Sequence, residues 1–524
     1  MQMTRKLRKT AVGLSVLLAA AALSSCTGYG APSAGAPSPS LAAQAAQTEE
    51  GCVSGVDNAP WYATVAPYEH ASIQRTTVFA CAAFHGSMDG PNVVQAGAPV
   101  GGYTTPFNLS TRRPDEMYLY GGGTGNATPP ALQTYVAKLE PGTAKQIWRT
   151  NLSDATQNNE LHLSGAVDVM ANGDLVAISD HTLYKLNGDT GEILAKNDMP
   201  TGKSAPNDTA FNGIDAFPDG TIIARSLNRP PGCTKNGYPA AANPPPAGCT
   251  GAPESAPGSV LVAVNPQNLQ VLNWVQLKDN IVGRVTTTVF NGHNYIYVTG
   301  ANQILRYVWD GKQITQDSSW GPVTYTTAGQ TQAGAPVVMN DWVVLSTNGN
   351  PAQVPLSVLA ISQADGNKVA RLDPNPTLQP GQISYYYAKV SADSENNRIY
   401  VMDAGVGTAS AIDLRNGRLA LAWKEQQLSN SYITLIGSKD KRVLVESNIK
   451  PNEGVGVTQL NGGPDGANYT EQIQWRDAAT GKLLAASDYY SPAAVASQIP
   501  PGYGGYIYDM LNDGNVIPLN VRPQ

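Results

Sequence analysis

One unit recurs along this 524-residue chain and constrains its fold more than any other feature. A β-rich run meets a tight Asn, Asp and Gly turn and returns as a second β-rich run. The turns are Ala171-Asn172-Gly173-Asp174, Pro218-Asp219-Gly220, Asn291-Gly292, Asn340-Asp341, Ser394-Glu395-Asn396-Asn397, Ser438-Lys439-Asp440 and Asn512-Asp513-Gly514, with a longer version at 112–116. Asn and Gly tolerate positive φ, which a two-residue hairpin turn demands, so each pair of runs reads as a hairpin. A second hairpin follows in most units, as at Asn187-Gly188-Asp189-Thr190-Gly191, Asn416-Gly417 and Thr480-Gly481. Two hairpins make one four-stranded antiparallel sheet.

The period follows from the residues read as opening each inner strand: Tyr103, His162, Asn212, Arg284, Gln332, Tyr386, Tyr432 and Tyr506. Successive intervals are 59, 50, 72, 48, 54, 46 and 74 residues. Four-stranded units at this spacing are the signature of a β-propeller. The expected fold is therefore all-β: a single propeller of four-stranded antiparallel blades over residues 51–524. Eight blades fit the count, with seven as the alternative. The last unit has no second hairpin before Gln524, and an open ring would expose strand edges. The N-terminal segment, including 72–84, is expected to supply the missing strands and close the ring.

Composition agrees. With 52 Gly, 38 Pro and 14% charged residues, the chain is too turn-rich and charge-poor for a bundle or coiled coil. A net charge of −6 lacks the basic footprint of a nucleic-acid binder.

The first 25 residues read as an export signal. Arg5, Lys6, Arg8 and Lys9 precede an uncharged, mostly apolar run at 11–23, too short to span a bilayer. The run ends in Leu23-Ser24-Ser25-Cys26, which resembles the lipobox of bacterial lipoproteins. That resemblance implies lipidation of Cys26, a membrane anchor and an extracytoplasmic location. Residues 26–50 then hold the lipidated Cys and an Ala, Pro, Ser and Gly tether. Without residues 1–25, 30 basic residues face 40 acidic ones, a net −10. The remaining Cys52, Cys81, Cys233 and Cys249 are even in number, as disulfides in an oxidising compartment require. Three connectivities exist; the short loops favour Cys52–Cys81 and Cys233–Cys249.

The second hairpin, as in Leu186-Asn187-Gly188-Asp189-Thr190-Gly191-Glu192, in 412–423 ending at Trp423, and in Asp477-Ala478-Ala479-Thr480-Gly481-Lys482, resembles the repeat of quinoprotein-type propellers. That superfamily includes enzymes using pyrroloquinoline quinone and a cofactor-free outer-membrane assembly lipoprotein. The alcohol-dehydrogenase type carries a vicinal Cys-Cys disulfide by its cofactor, and no two cysteines are adjacent here. The stretch Asn212-Gly213-Ile214-Asp215 through Pro218-Asp219-Gly220 is similar to a segment of gluconolactonase-like propellers. That similarity implies a divalent-metal ligand at Asn212, with Ca²⁺ among the candidates.

Inner strands line a central channel, so the ligand candidates are Tyr103, His162, Asp168, Asn212, Asp215, Arg284, Gln332, Tyr386, Tyr432 and Tyr506. Such a polar and aromatic ring suits a small polar ligand. His162 beside Asp168 or Asp215 also has the composition of a general-base pair. The leading expectation is an exported, surface-anchored lipoprotein that binds a protein partner or a small polar ligand at its rim or channel, with no cofactor assigned. The alternative is a metal-assisted hydrolase or lactonase at the channel, and a third reading is a quinone-dependent oxidoreductase. Nucleic acid is not expected as a partner.

Overall fold

The computed structural model describes residues 59–123, 133–153, 161, 163, 165–230, 256–281, 283–332, 334–349, 352–386, 388–429, 431–457, 467–490 and 498–524. Cys26, Cys52, His162, Cys233 and Cys249 lie outside the described residues.

Eight antiparallel sheets form a propeller ring. Blades 1 to 7 occupy residues 106–151, 166–198, 209–276, 286–324, 331–372, 391–426 and 434–486. The inner two or three strands of a blade are buried on both faces, because a neighbouring blade covers each side. Leu175–Ser179 of blade 2 and Val358–Ser362 of blade 5 are buried at every position. The outermost strands alternate with solvent, as in Val271–Gln276 and Val369–Leu372. Apolar clusters accordingly sit between blades: Tyr118, Val167 and Leu175 join blades 1 and 2, and Phe217, Ile223 and Ile296 join blades 3 and 4.

A repeated contact locks several seams. The Trp148 indole in the outer strand of blade 1 donates to Asp189 O of blade 2 at 3.0 Å. Trp423 of blade 6 donates to Ala478 O of blade 7 at 3.0 Å. Each ring lies over the turn glycine of the next blade: a Cβ on Gly191 or Gly481 would sit 2.7 and 2.9 Å from the tryptophan. Both glycines also have positive φ, 75° and 79°. The Thr-Gly turn is thus doubly constrained, by backbone conformation and by the ring pressed on it.

The outer edges carry a second repeated device. In five blades the outermost strand holds one extra residue against its neighbour: Ile147, Leu194, Leu272, Ala422 and Leu484. Such a bulge twists an exposed edge away from a flat template for pairing.

The eighth blade differs from the sequence expectation in its internal assignment. Residues 500–502 pair with Tyr506–Met510 through Tyr508 N to Pro500 O and Gly502 N to Tyr506 O. Thr434 Oγ1 of blade 7 donates to Ile499 O at 2.7 Å, as Ser391 Oγ of blade 6 donates to Ile433 O. Residues 499–502 therefore take the place of the inner strand, joined to the sheet by an isolated bridge from Pro501 to Ile507. Tyr506–Met510 is the second, Val516–Pro523 the third, and Asn92–Ala96 the fourth. The Asn512-Asp513-Gly514 turn joins the second and third strands, which explains the long last interval. Ring closure does come from the N-terminal segment, but from Asn92–Ala96 rather than 72–84. Val516–Pro523 needed a partner along a full strand edge, and Asn92–Ala96 pairs with it through five residues.

The stretch 60–82 meets a different demand, the unpaired edges of the inner strands facing the channel. It touches all eight blades. Thr111 N and Val169 N donate to Ala66 O and Pro67 O, and Val338 N, Ala392 N and Leu435 N donate to Gln74 O, Thr76 O and Thr77 O. The Tyr68 phenol donates to Ile214 O, Arg75 Nε donates to Val285 O, and Thr64 Oγ1 lies 2.8 Å from the Tyr503 hydroxyl. Val78–Phe79 runs parallel to Thr434–Ile436 of blade 7.

Candidate functional site

The channel axis holds charge, delivered mostly by residues 60–82. Glu69 and Arg75 have fully buried side chains, and His70 is 1% exposed. The Glu69 carboxylate pairs with Arg284 Nη1 of blade 4 and accepts from Gln498 Nε2 at 2.5 Å. Its second oxygen stands 3.6 Å from Arg75 Nη1. Glu69 N donates to Asp168 Oδ1 of blade 2 at 3.0 Å. Arg75 reaches Ile214 O at 2.7 Å and lies 3.8 Å from Asp215 Oδ2. Lys389 Nζ of blade 6 donates to Arg75 O. Three acids and three cations share the axis with one histidine.

Burial in a low dielectric disfavours the charged form of each group. It pushes Asp168 well above the usual carboxylate range and Asp215 up to about 7, while Lys389 and Arg284 are lowered. Burial, reinforced by Lys389 and Arg75, holds His70 well below its ordinary value. Arg284 Nη1 points at His70 Nε2 from 3.5 Å, and a guanidinium only donates. The same Nε2 stands 3.4 Å from Glu69 Oε2, so it faces a donor and an acceptor at once, while Nδ1 has no hydrogen-bond partner among the described residues.

Above this layer lies a more accessible one. Phe107, Asn212, Gln332 and Tyr432 are half-buried. Arg284 bridges the two layers, with its guanidinium carbon 5.7 Å from the Phe107 ring centre. Its Nη1 is committed to Glu69 and His70, whereas Nε and Nη2 make no hydrogen bond among the described residues. Tyr432 stacks at a tilt on His70, with ring centres 5.1 Å apart.

The structure brings together Asp168, Asp215, Arg284 and Tyr432 around residues 68–75. Asn212 and Gln332 stand at the mouth with their amides engaged: Asn212 Oδ1 accepts from Arg225 at 2.8 Å, and Gln332 Nε2 donates to Thr299 O at 2.5 Å. Tyr386 is fully buried, and its hydroxyl donates to Ser431 O at 2.6 Å. Tyr103 and Tyr506 are not in the channel. Tyr103 donates to Ala144 O at 2.5 Å and packs with Tyr506 and Tyr508 in the seam between blades 8 and 1. Tyr506 opens the second strand of its blade, so its side chain faces a neighbouring sheet instead of the axis.

Glu69, His70, Arg75, Lys389 and Gln498 were missed, because a segment without hairpin periodicity shows no sign of lining a channel. The available signal was density: Trp61, Tyr62, Tyr68 and Phe79 crowd a stretch that has no strand alternation yet is too apolar to be a tether.

Among the described residues, no group of three or more His, Cys, Asp or Glu is arranged to hold a metal ion. A quinone ring system needs a flat space at the axis. Glu69, His70 and Arg75 fill the axis itself, and no step is derived through such a cofactor.

No protein-family model matches the chain, and no curated protein matches it. Solved structures do. The quinohemoprotein alcohol dehydrogenase from Comamonas testosteroni aligns over 92% of this chain and 84% of its own, at 10% identity and a TM-score of 0.54. BamB from Moraxella catarrhalis aligns over 82% of this chain and 98% of its own, at 9% identity and a TM-score of 0.46. At such identity the likeness to the dehydrogenase concerns fold alone: this chain is an eight-bladed β-propeller with an architecture similar to that of the quinoprotein dehydrogenases.

Proposed function

We propose that this chain is an exported, lipid-anchored propeller that binds a small polar ligand bearing an acidic group at the mouth of its channel. The observation that carries this reading is Arg284. Its Nε–Nη2 edge is unengaged, and that edge is the one a carboxylate meets with two parallel hydrogen bonds. Phe107 and Tyr432 supply flat apolar faces beside it. Residues 60–82 contact every blade around the channel, which makes the mouth the side from which a ligand enters.

The anchor rests on Leu23-Ser24-Ser25-Cys26 and the preceding basic and apolar runs. The enclosing disulfides are assigned as Cys52–Cys81 and Cys233–Cys249. Cys81 is buried against the cluster joining blades 7 and 8, where a bridge to Cys52 would pin the chain between tether and channel.

A thermal-shift panel of succinate, citrate, gluconate and glucuronate tests the ligand reading. A ligand at 100 times its Kd adds about 2.7 kcal/mol of stability. A shift abolished by Arg284→Lys, which keeps the charge toward Glu69 but removes the fork, supports the reading. No shift from any of the four sinks it. Palmitate labelling lost in Cys26→Ala tests the anchor separately.

A further inference from the structure

Three carboxylates are buried at and beside the seam between blades 7 and 8, with no cation paired to them among the described residues. Glu446 lies on Val443–Pro451, Glu471 on Tyr469–Asp477, and Asp509 on Tyr506–Met510. Glu446 and Asp509 are 0% exposed and Glu471 is 1% exposed. Each has one oxygen with no hydrogen-bond partner: Glu446 Oε2, Glu471 Oε1 and Asp509 Oδ1. Tyr490 ties the group across the seam. Its backbone pairs with Glu471 at 3.1 and 2.9 Å, and its hydroxyl donates to Asp509 Oδ2 at 2.7 Å.

The other polar groups facing the cluster are neutral. Ser429 Oγ donates to Glu446 Oε1, and Tyr386, Tyr469 and Tyr490 complete the surroundings. The cations on the same strands are directed elsewhere. Lys450 Nζ sits 5.5 Å from the Tyr489 ring centre, and Arg476 donates to Gln427 Oε1 and Gly481 O. Residues 491–497, which connect the two blades, contain no ionisable side chain.

An unpaired buried carboxylate costs several kcal/mol, and three buried close together repel one another as well. The carboxylates are not arranged around one point as metal ligands. The species that neutralises them is the proton.

We propose that the seam between blades 7 and 8 is a proton-dependent latch: protonated Glu446, Glu471 and Asp509 hold the ring closed, and their deprotonation loosens blade 8. The location matters because blade 8 is the one assembled from both ends of the described chain, through Asn92–Ala96 on Val516–Pro523. Burial raises all three groups, and repulsion from neighbouring carboxylates adds to it for Glu446 and Glu471, with Glu446 raised to about 8. The folded state then binds protons more tightly than the unfolded chain, whose Glu and Asp titrate near 4. Latch stability is complete below that pH and is lost as pH rises through the folded values.

Hydrogen exchange of the full chain, corrected for intrinsic amide chemistry, tests the latch at pH 6 and pH 9. In the wild type, amides of 92–96 and 506–523 are expected to speed at least tenfold at pH 9 relative to those of blade 5. Glu446→Gln and Asp509→Asn, separately isosteric and uncharged, are expected to remove that local acceleration. A response equal in all blades, or an unchanged acceleration in whichever amide variant folds, would overturn the proposal.

Discussion

Arg284, at the start of blade 4, and Glu69, in the N-terminal segment, form a buried ion pair at the centre of the ring. One precedes an inner strand, and the other belongs to the segment that crosses the channel. Removing Arg284 takes the closest cation from buried Glu69 and leaves it only Arg75 at 3.6 Å and the Gln498 amide, a loss of up to about 3–5 kcal/mol. Arg284→Met should therefore lower the denaturation midpoint far more than Glu69→Gln and Arg284→Met together. A double-mutant cycle by chemical denaturation measures the coupling.

Residues 60–82 satisfy backbone groups on the inner strands of blades 1, 2, 5, 6 and 7. A chain beginning at residue 86 retains the closing strand Asn92–Ala96 but leaves those groups unpaired. It is expected to lose cooperative unfolding and the near-ultraviolet signal of a packed core, as followed by circular dichroism.

The tryptophan seams are separable from the channel. Trp423→Ala opens a cavity over Gly481 and should cost about 3–5 kcal/mol. Trp423→Phe keeps most of the apolar contact and loses the bond to Ala478 O, a cost of about 1 kcal/mol. Gly481→Ala should also be destabilising, since it adds a Cβ 2.9 Å from the indole at a φ of 79°. Denaturation midpoints of the three variants give the order.

His70 is held neutral by burial and by the cations Lys389 and Arg75. A base with a depressed folded pKa contributes stability that is present above the unfolded value near 6.5 and lost as pH falls below it. Nitrogen chemical shifts should show the neutral imidazole persisting at pH 5.5. His70→Asn should flatten the fall in stability between pH 6.5 and pH 5. This slope is opposite in sign to that of the latch carboxylates, so the two are distinguishable in one titration.

Much of the fold is legible in the chain because its punctuation is local. A turn such as Asn187 to Gly191 needs only Asn and Gly tolerance for positive φ, and the strands beside it follow from alternation. The repeat then fixes a ring of four-stranded blades, and the Trp and Thr-Gly positions foreshadow how neighbouring blades dock. The last unit was misread by one strand, since residues 499–502 have neither a turn signal of that kind nor a strand-like run, and only pairing with Tyr506–Met510 identifies them.

The site was legible in part. Asp168, Asp215, Arg284 and Tyr432 were marked by their places at or just before inner strands. Tyr103 and Tyr506 occupied similar places in the count yet turned out to fill a seam. The sequence by itself determined the repeat and the class of fold, because these rest on neighbours a few residues apart. Tertiary structure alone decided that Glu69, His70 and Arg75 occupy the axis and that Glu471 and Asp509, with Glu446 close by, are buried together. His70 and Arg284 are separated by 214 residues, and no local preference encodes a contact that only closure of the ring creates.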